Sequence, residues 1–177
     1  MKNGLFYILI IILLSGCAVQ RNFKRAQEAN TITAYRNFIK TYPDSKYTPF
    51  AKKELSILLE LKAWELVQKK NTIDQYEKFI KYFPNSKYIT QAKKNIQKLL
   101  IKKAWQESIF ANTVFSYQKF LNEYPNSEYT HQAKTRIKEL IEQRDWEETS
   151  RANTILSYQD YLNKCPDGEY SDIAKKR

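Results

Sequence analysis

Residues 71–92 read NTIDQYEKFIKYFPNSKYITQA, and residues 112–133 repeat the pattern as NTVFSYQKFLNEYPNSEYTHQA. The two stretches are 41 residues apart, and the same register runs through residues 23–177 without an insertion. A fixed period of this length is typical of a repeat protein whose units stack on one another. The register defines four copies, which cover residues 23–63, 64–104, 105–145 and 146–177.

Eight positions carry the same or a similar residue in every copy. Four of them are aromatic in every copy, and we expect these aromatic residues to form the core of each unit. They are the opening aromatics Phe23, Trp64, Trp105 and Trp146; the Asn-Thr pairs beginning at Asn30, Asn71, Asn112 and Asn153; Tyr35, Tyr76, Tyr117 and Tyr158; Phe38, Phe79, Phe120 and Tyr161; Pro43, Pro84, Pro125 and Pro166; Tyr47, Tyr88, Tyr129 and Tyr170; and Ala51, Ala92, Ala133 and Ala174.

Each copy contains the signals of a short helix. Asn71 can end the preceding helix in a left-handed conformation, Thr72 can cap the next one, and we expect Gln75 to complete a capping box. The apolar residues of Ile73–Phe83 fall on one face at helical spacing. Pro84 ends the run, because the residue before a proline disfavours the helical region.

A longer helix follows in each copy. Pro49 suits a first helical turn and predicts a helix start near Ser45 in the first copy. Neither glycine nor proline interrupts Ser86–Ala111. Trp105 lies about 120° around this helix from the preceding apolar stripe. We therefore expect either that the later half of the helix contacts a second neighbour or that the helix bends near Lys102–Lys103.

Helical hairpins that each expose an apolar face must stack, which predicts an all-α solenoid of four hairpins. The phrase Tyr-Pro-Asn/Asp-Ser-x-Tyr-x-x-x-Ala, preceded by Phe-Ile/Leu, resembles the tetratricopeptide-like (TPR-like) repeats of bacterial envelope proteins. These include the lipoprotein of the outer-membrane β-barrel assembly machinery and the TolA-binding cell-division coordinator. The resemblance covers residues 23–177 and implies a TPR-like fold that binds other envelope proteins. The 41-residue period exceeds the usual 34 by about two helical turns.

The first sixteen residues have the pattern of an export signal. Lys2 precedes an unbroken apolar run, Leu5–Leu14, which is about half the length that a membrane-spanning helix needs. The run ends in Leu14-Ser15-Gly16-Cys17, which resembles the lipobox of bacterial lipoproteins. This resemblance implies that residues 1–16 are removed and that Cys17 carries a diacylglyceryl anchor.

The residues after Cys17 bear on location. Ala18 follows the cysteine, and by resemblance to Gram-negative sorting signals the lack of Asp there implies the outer membrane, with the protein facing the periplasm. Inner-membrane and cell-surface anchoring are the alternatives. We expect residues 17–22 to form the lipidated N-terminus and a short tether. The five residues after Cys17 reach about 17 Å at most, when fully extended. Such a tether would hold the domain, residues 23–177, against the membrane.

The chain is basic, with a formal net charge of +11, of which Lys2 contributes one. Residues 62–103 hold eleven lysines against three acidic residues. A solvated surface explains this excess, and attraction to acidic headgroups or to an acidic partner is the alternative. Export argues against nucleic acid. The candidate basic binding face comprises Lys87, Lys93, Lys94, Lys98, Lys102 and Lys103.

The sequence offers little for catalysis, and we expect no catalytic, cofactor-binding or metal site and no small-molecule substrate. His131 is the only histidine and occupies a variable repeat position, which predicts an exposed residue at a helix start. Cys165 replaces an aromatic residue of the other copies, which favours a buried thiol, with an intermolecular disulfide as the alternative. Gly168 is the only glycine after the signal, which excludes a glycine-rich phosphate loop.

These observations predict a membrane-anchored, periplasmic scaffold for protein–protein interaction in outer-membrane assembly or envelope organisation. A structural lipoprotein that binds an anionic polymer or lipid through the basic face is the second hypothesis. An enzyme is the third.

Overall fold

A computed structural model describes residues 17–177, so the predicted signal peptide lies outside the described residues. Within that range all regular structure is helical and no strand is present. The described residues divide into two compact units, a first one that ends at Ile96 and a second one that comprises Gln97–Arg177. The helices are α1 (17–29), α2 (Ile32–Thr41), α3 (Thr48–Lys70), α4 (Ile73–Tyr82), α5 (Ile89–Ala111), α6 (Val114–Glu123), α7 (Thr130–Ala152), α8 (Ile155–Lys164) and α9 (Ser171–Ala174).

Helices of 10 and 23 residues alternate from α2 to α8, which confirms the all-α fold class and the short and long helix predicted for the first three copies. In the fourth copy the second helix, α9, has four residues. In the first unit, Ala51 near the start of α3 belongs to a core cluster with Tyr35 and Phe38 of α2. Trp64, later in the same helix, packs instead on Tyr76 and Phe79 of α4. A long helix therefore contacts one short helix with its first half and the next one with its second half.

The second unit follows the same plan. Ala133 near the start of α7 clusters with Tyr117 and Phe120 of α6, whereas Trp146 contacts Tyr158 and Tyr161 of α8. Trp105 of α5 likewise packs on Tyr117 and Phe120. Of the two alternatives predicted for α5, the observed one is that its later half contacts a second neighbour, α6.

The Asn-Thr pairs form the turns between long and short helices, as predicted. The four asparagines have φ between 45° and 49°, the left-handed conformation that asparagine tolerates better than most residues. Asn112 also accepts hydrogen bonds on Oδ1 from the Tyr117 hydroxyl at 3.2 Å and from Arg136 Nε at 3.1 Å. Thr113 then caps α6 by accepting the backbone N–H of Ser116. Tyr76 and Tyr158 donate to Asn71 and Asn153 in the same way, so in three copies the repeated tyrosine secures the turn as well as the core.

The predicted capping box at Thr72 and Gln75 is wrong. Gln75 directs its side-chain amide to Asp74 at 3.1 Å and does not return to the backbone of Thr72. Reciprocal boxes form instead at the third position of α6 and of α8, where Ser116 and Ser157 stand. Their short hydroxyl side chains accept the N–H of the capping threonine at 3.2 and 3.1 Å.

The proline-containing turn ends each short helix, as predicted, but the next helix begins later than expected. The C-cap of α4 is Phe83, directly before Pro84. In the first copy, α3 begins at Thr48 and not near Ser45. Ser45 accepts the N–H of Tyr47 on its hydroxyl, a local turn that competes with helix formation.

Each unit has an aromatic core. Trp64 lies flat on Tyr88, with ring centroids 4.8 Å apart and planes 6° from parallel, and it meets Tyr76 and Phe79 at tilted angles. Trp105 and Trp146 make the equivalent contacts in the second unit. The repeated alanines are completely or almost completely buried: Ala51, Ala92, Ala133 and Ala174.

In the fourth copy, Tyr161 and Gly168 differ from the residues at the same positions of the other copies, and both lie beside Glu142. Tyr161, which stands where other copies have Phe, donates its hydroxyl to Glu142 Oε1 at 2.9 Å. Burial, together with this hydrogen bond, raises the pKa of Tyr161 above its ordinary value. A Cβ at Gly168 would overlap the Glu142 carboxylate and would lie 2.8 Å from the Tyr161 hydroxyl. Gly168 therefore makes room for the carboxylate, where the other copies have serine.

We predict that Asn112→Ala lowers the free energy of unfolding by about 1 kcal/mol more than Asn112→Gly, because only alanine pays the left-handed backbone cost. Both variants lose the hydrogen bonds from Tyr117 and Arg136, so their difference isolates the backbone term. Urea denaturation measures it. Asn122→Ala, at an exposed position inside α6, is the control and should change stability little.

Gly168→Ala should destabilise the fold by about 1–3 kcal/mol through overpacking against Glu142. In the background Glu142→Ala, the same substitution should cost less, because the overlapping carboxylate is gone. A double-mutant cycle measured by thermal denaturation tests this coupling. Strict additivity of the two substitutions would contradict it.

Candidate functional site

Cys17, the predicted lipidation site, is exposed on α1. Residues 17–22, predicted to form a short tether, are helical. Val19 packs against the first core cluster, and Asn22 donates its side-chain amide to the Tyr42 hydroxyl at 2.6 Å. At the rise of an α-helix, the five residues after Cys17 span about 8 Å, which is half of their maximum reach of about 17 Å. The segment between Cys17 and Phe23 is therefore a packed helix.

The six lysines of the candidate basic face are all exposed, but they belong to different units. Lys87, Lys93 and Lys94 lie in the first unit, and Lys98, Lys102 and Lys103 lie in the second.

Two of these lysines lie close to a side chain that attracts a positive charge. The Lys87 ammonium lies 5.1 Å from the centre of the Tyr88 ring, within cation–π range. Lys98 and Lys102 are four residues apart and share one side of α5, whereas Lys103 is turned about 100° further and lies 3.9 Å from Glu107. Lys98 and Lys102 thus form a pair of exposed lysines on one side of α5.

The second unit contains an open groove that the sequence did not predict. It has a volume of about 410 Å³ and lies between the later half of α5, α6 and the start of α7. The aromatic rings of Trp105 and Tyr117 line it, and Ile109 beside them is 49% exposed. The lining residues are Trp105, Ile109, Tyr117, His131, Gln132, Thr135, Arg136 and Glu139.

An ion pair borders this groove. Arg136 Nη1 donates to Glu139 Oε2 at 2.8 Å, one helical turn away on α7, and this hydrogen bond raises the pKa of the guanidinium. Arg136 Nε bonds Asn112 Oδ1 in addition, so the guanidinium is held in place on two sides. His131 is exposed near the start of α7, as predicted. The groove thus combines an apolar floor with an oriented polar edge.

One sequence signal could have located the groove. Ile109 stands where the other copies have Gln27, Gln68 and Ser150, so an apolar residue has replaced a polar one at an exposed position. The same comparison marks Phe110, which is 93% exposed and replaces charged residues of the other copies. Departures from the repeat, rather than the repeat itself, indicate the accessible apolar surface.

The first unit has a second groove, of about 390 Å³, at the junction of α3 and the turn before α5. Ile57 and Leu61, one turn apart on α3, are 49% and 40% exposed beside it. Glu60 accepts the hydroxyl of Ser86 at 2.6 Å, and Lys87 and Tyr88 complete the lining.

Cys165 is partly buried against Tyr158, Tyr161 and Ala174, the core position that its place in the repeat predicted. Burial, followed by the charges of Glu142 and Asp145, raises the pKa of its thiol. A thiol with a raised pKa is a weak nucleophile at neutral pH.

Residues 17–177 contain no cluster of three or more His, Cys, Asp or Glu side chains suited to hold a metal ion. In the same part of the chain, none of the helices is both long enough and apolar enough to cross a membrane.

Comparison of the chain with protein-family models and with curated proteins gave no match.

The exposure of the groove residues predicts how their substitution changes the free energy of unfolding. Ile109→Gln, which restores the residue type of two other copies, should leave the free energy of unfolding within about 0.5 kcal/mol of the parent chain, because Ile109 is half exposed. Trp105→Ala, in the groove floor, should cost about 3 kcal/mol, because Trp105 packs on three aromatic rings. Denaturant titration of both variants tests whether the edge residue is free of a structural role.

Proposed function

We propose that this protein is a membrane-anchored scaffold that binds a segment of another envelope protein. The observation that carries the proposal is the apolar groove at Trp105 and Ile109, which is built on repeat residues but presents a side chain that the repeat does not require. Peptide-binding repeat proteins commonly use positions of this kind for recognition, while the shared positions maintain the fold.

The groove suits a helical or extended segment that carries an apolar side chain. Trp105 and Tyr117 offer flat ring surface, and the neighbouring Arg136–Glu139 pair offers a polar group of each charge to a partner backbone or side chain. Apolar anchoring beside ordered polar groups is the usual composition of a binding hot spot. Affinity would then depend on buried area more than on ionic strength.

Anchoring by lipid is part of the proposal. The segment Leu14-Ser15-Gly16-Cys17 supports it by its lipobox pattern, and the exposure of Cys17 leaves the sulfur accessible to modification. The outer membrane, with the domain in the periplasm, is the proposed location. The TPR-like phrase supports a role in outer-membrane assembly, with β-barrel assembly components as candidate partners, or in envelope organisation.

A second candidate function is binding of an anionic envelope polymer or lipid through the lysines of α5. The exposure of Lys98 and Lys102 on one helix side favours it. Binding of this kind should weaken steeply as salt concentration rises, because exposed charges are screened.

Photo-crosslinking distinguishes the two functions. In the intact, anchored protein, a photoreactive residue at Gln132 in the groove should give a discrete protein adduct, and the variant Ile109→Gln should remove that adduct. The same probe at Lys134, an exposed residue on another side of α7, is the matched control and should give none.

Charge reversal at Lys93, Lys94 and Lys98 should leave the adduct in place. An adduct that forms equally from Gln132 and Lys134, or that persists in Ile109→Gln, contradicts the scaffold. Loss of binding to soluble anionic polymer or to added anionic vesicles only in the charge-reversed variant would favour the polymer or lipid function.

A further inference from the structure

The face of α1 that carries Cys17 points away from the core. Phe23 and Ala26, on the inner side, are 8% and 5% exposed. Ala26 lies about 180° around the helix axis from Cys17, whereas Arg21 and Lys24 lie within about 40° of Cys17. Cys17, Arg21 and Lys24 are all exposed. The predicted lipid attachment site therefore heads a stripe of basic side chains on the outer face of α1.

The outer face is positive. Arg21, Lys24 and Arg25 are the basic residues of α1 within its described range, and Glu28 is the acidic one. The Lys24 ammonium lies 3.9 Å from the Glu28 carboxylate, but both side chains are more than 60% exposed, so solvent screens the pair. The stripe retains a net positive charge that is accessible to an anionic surface.

The inner side of α1 is packed against the first hairpin, which α2 and α3 form. Phe23 stacks on Tyr47 at 5.0 Å and contacts Phe38 at 5.3 Å. Asn22 reaches Tyr42 across the same junction. An anchor on Cys17 is therefore coupled to the hairpin by packed side chains, and Arg21 follows only about 6 Å further along the axis.

We propose that the outer face of α1 lies against the membrane and that Arg21, Lys24 and Arg25 contact anionic phospholipid headgroups. This inference rests on the proposed lipidation of Cys17. The acyl chains hold the start of α1 at the bilayer interface, and the basic stripe lays the helix along that interface. The first hairpin then takes a defined orientation to the membrane instead of swinging about the anchor.

The test uses the mature, lipidated full chain in vesicles of phosphatidylcholine with or without phosphatidylglycerol. In a Cys165→Ser background, Glu28→Cys provides one free thiol for a fluorophore, because the sulfur of Cys17 is blocked by the lipid. Quenching by headgroup-labelled lipid reports how close the label lies to the membrane. Intact-protein mass spectrometry first verifies the diacylglyceryl group.

We expect quenching at residue 28 to be at least about twofold stronger on the anionic vesicles, because each basic residue adds attraction to the charged surface. The triple variant R21E/K24E/R25E should lose this difference. The matched variant K52E/K53E/K62E makes the same change in net charge at exposed lysines of α3 and should retain it. Circular dichroism melts of both triples verify that they fold.

Equal quenching on neutral and anionic vesicles, or an equal loss in both triple variants, would overturn the orientation of α1 while leaving the lipid anchor intact. A mature protein that lacks the acyl mass would overturn both the anchor and the inference that rests on it. The two failures are therefore distinguishable by mass alone.

Discussion

The flat contact between the opening aromatic residue of each copy and the tyrosine that follows the short helix is the interaction on which the rest of the structure depends. Trp105 and Tyr129 stack at 5.1 Å, and Tyr117 and Phe120 of α6 pack against the same tryptophan. An aromatic pair contributes about 0.5–1.5 kcal/mol beyond the area it buries. Because the two stacked rings flank α6 in the chain, this contact joins the end of one long helix to the start of the next.

The two turns of each copy bring these rings into contact. Asn112 reverses the chain in a left-handed conformation, so that Trp105 meets Tyr117 only twelve residues later. The proline turn performs the second reversal and places Tyr129 flat against Trp105 and beside Phe120 of α6. The repeat positions supply the residues of both turns and of the aromatic core, so they are needed for folding. Binding must then rely on residues outside the repeat pattern, such as Ile109 in the groove and Arg21 on α1.

The proposed anchor and the proposed groove place different demands on the chain. A lipid on Cys17 needs only an accessible sulfur, but an oriented domain also needs the packing of Val19, Asn22 and Phe23. The groove needs an exposed apolar side chain whose removal does not unfold the unit. In both places the outer side chains are free of the core, so selection for binding can act on them without a loss of stability.

The amino-acid sequence by itself determined the 41-residue register, the Asn-Thr turns, the helix ends before proline and the aromatic core. These features arise from local backbone preferences and helical periodicity, which neighbouring residues specify. The lipobox pattern also belongs to the sequence, and it stays a prediction.

Only the tertiary structure decided which neighbour each half of a long helix contacts, that residues 17–22 are helical, and that Gln75 bonds Asp74 instead of closing a capping box. It also revealed the groove beside Ile109, whose walls come from three helices. Such features depend on contacts between residues distant in the chain and on competition among nearby hydrogen-bond partners. Periodicity shows which face of a helix is apolar, but the packing of the neighbouring helices decides how much of that face remains exposed.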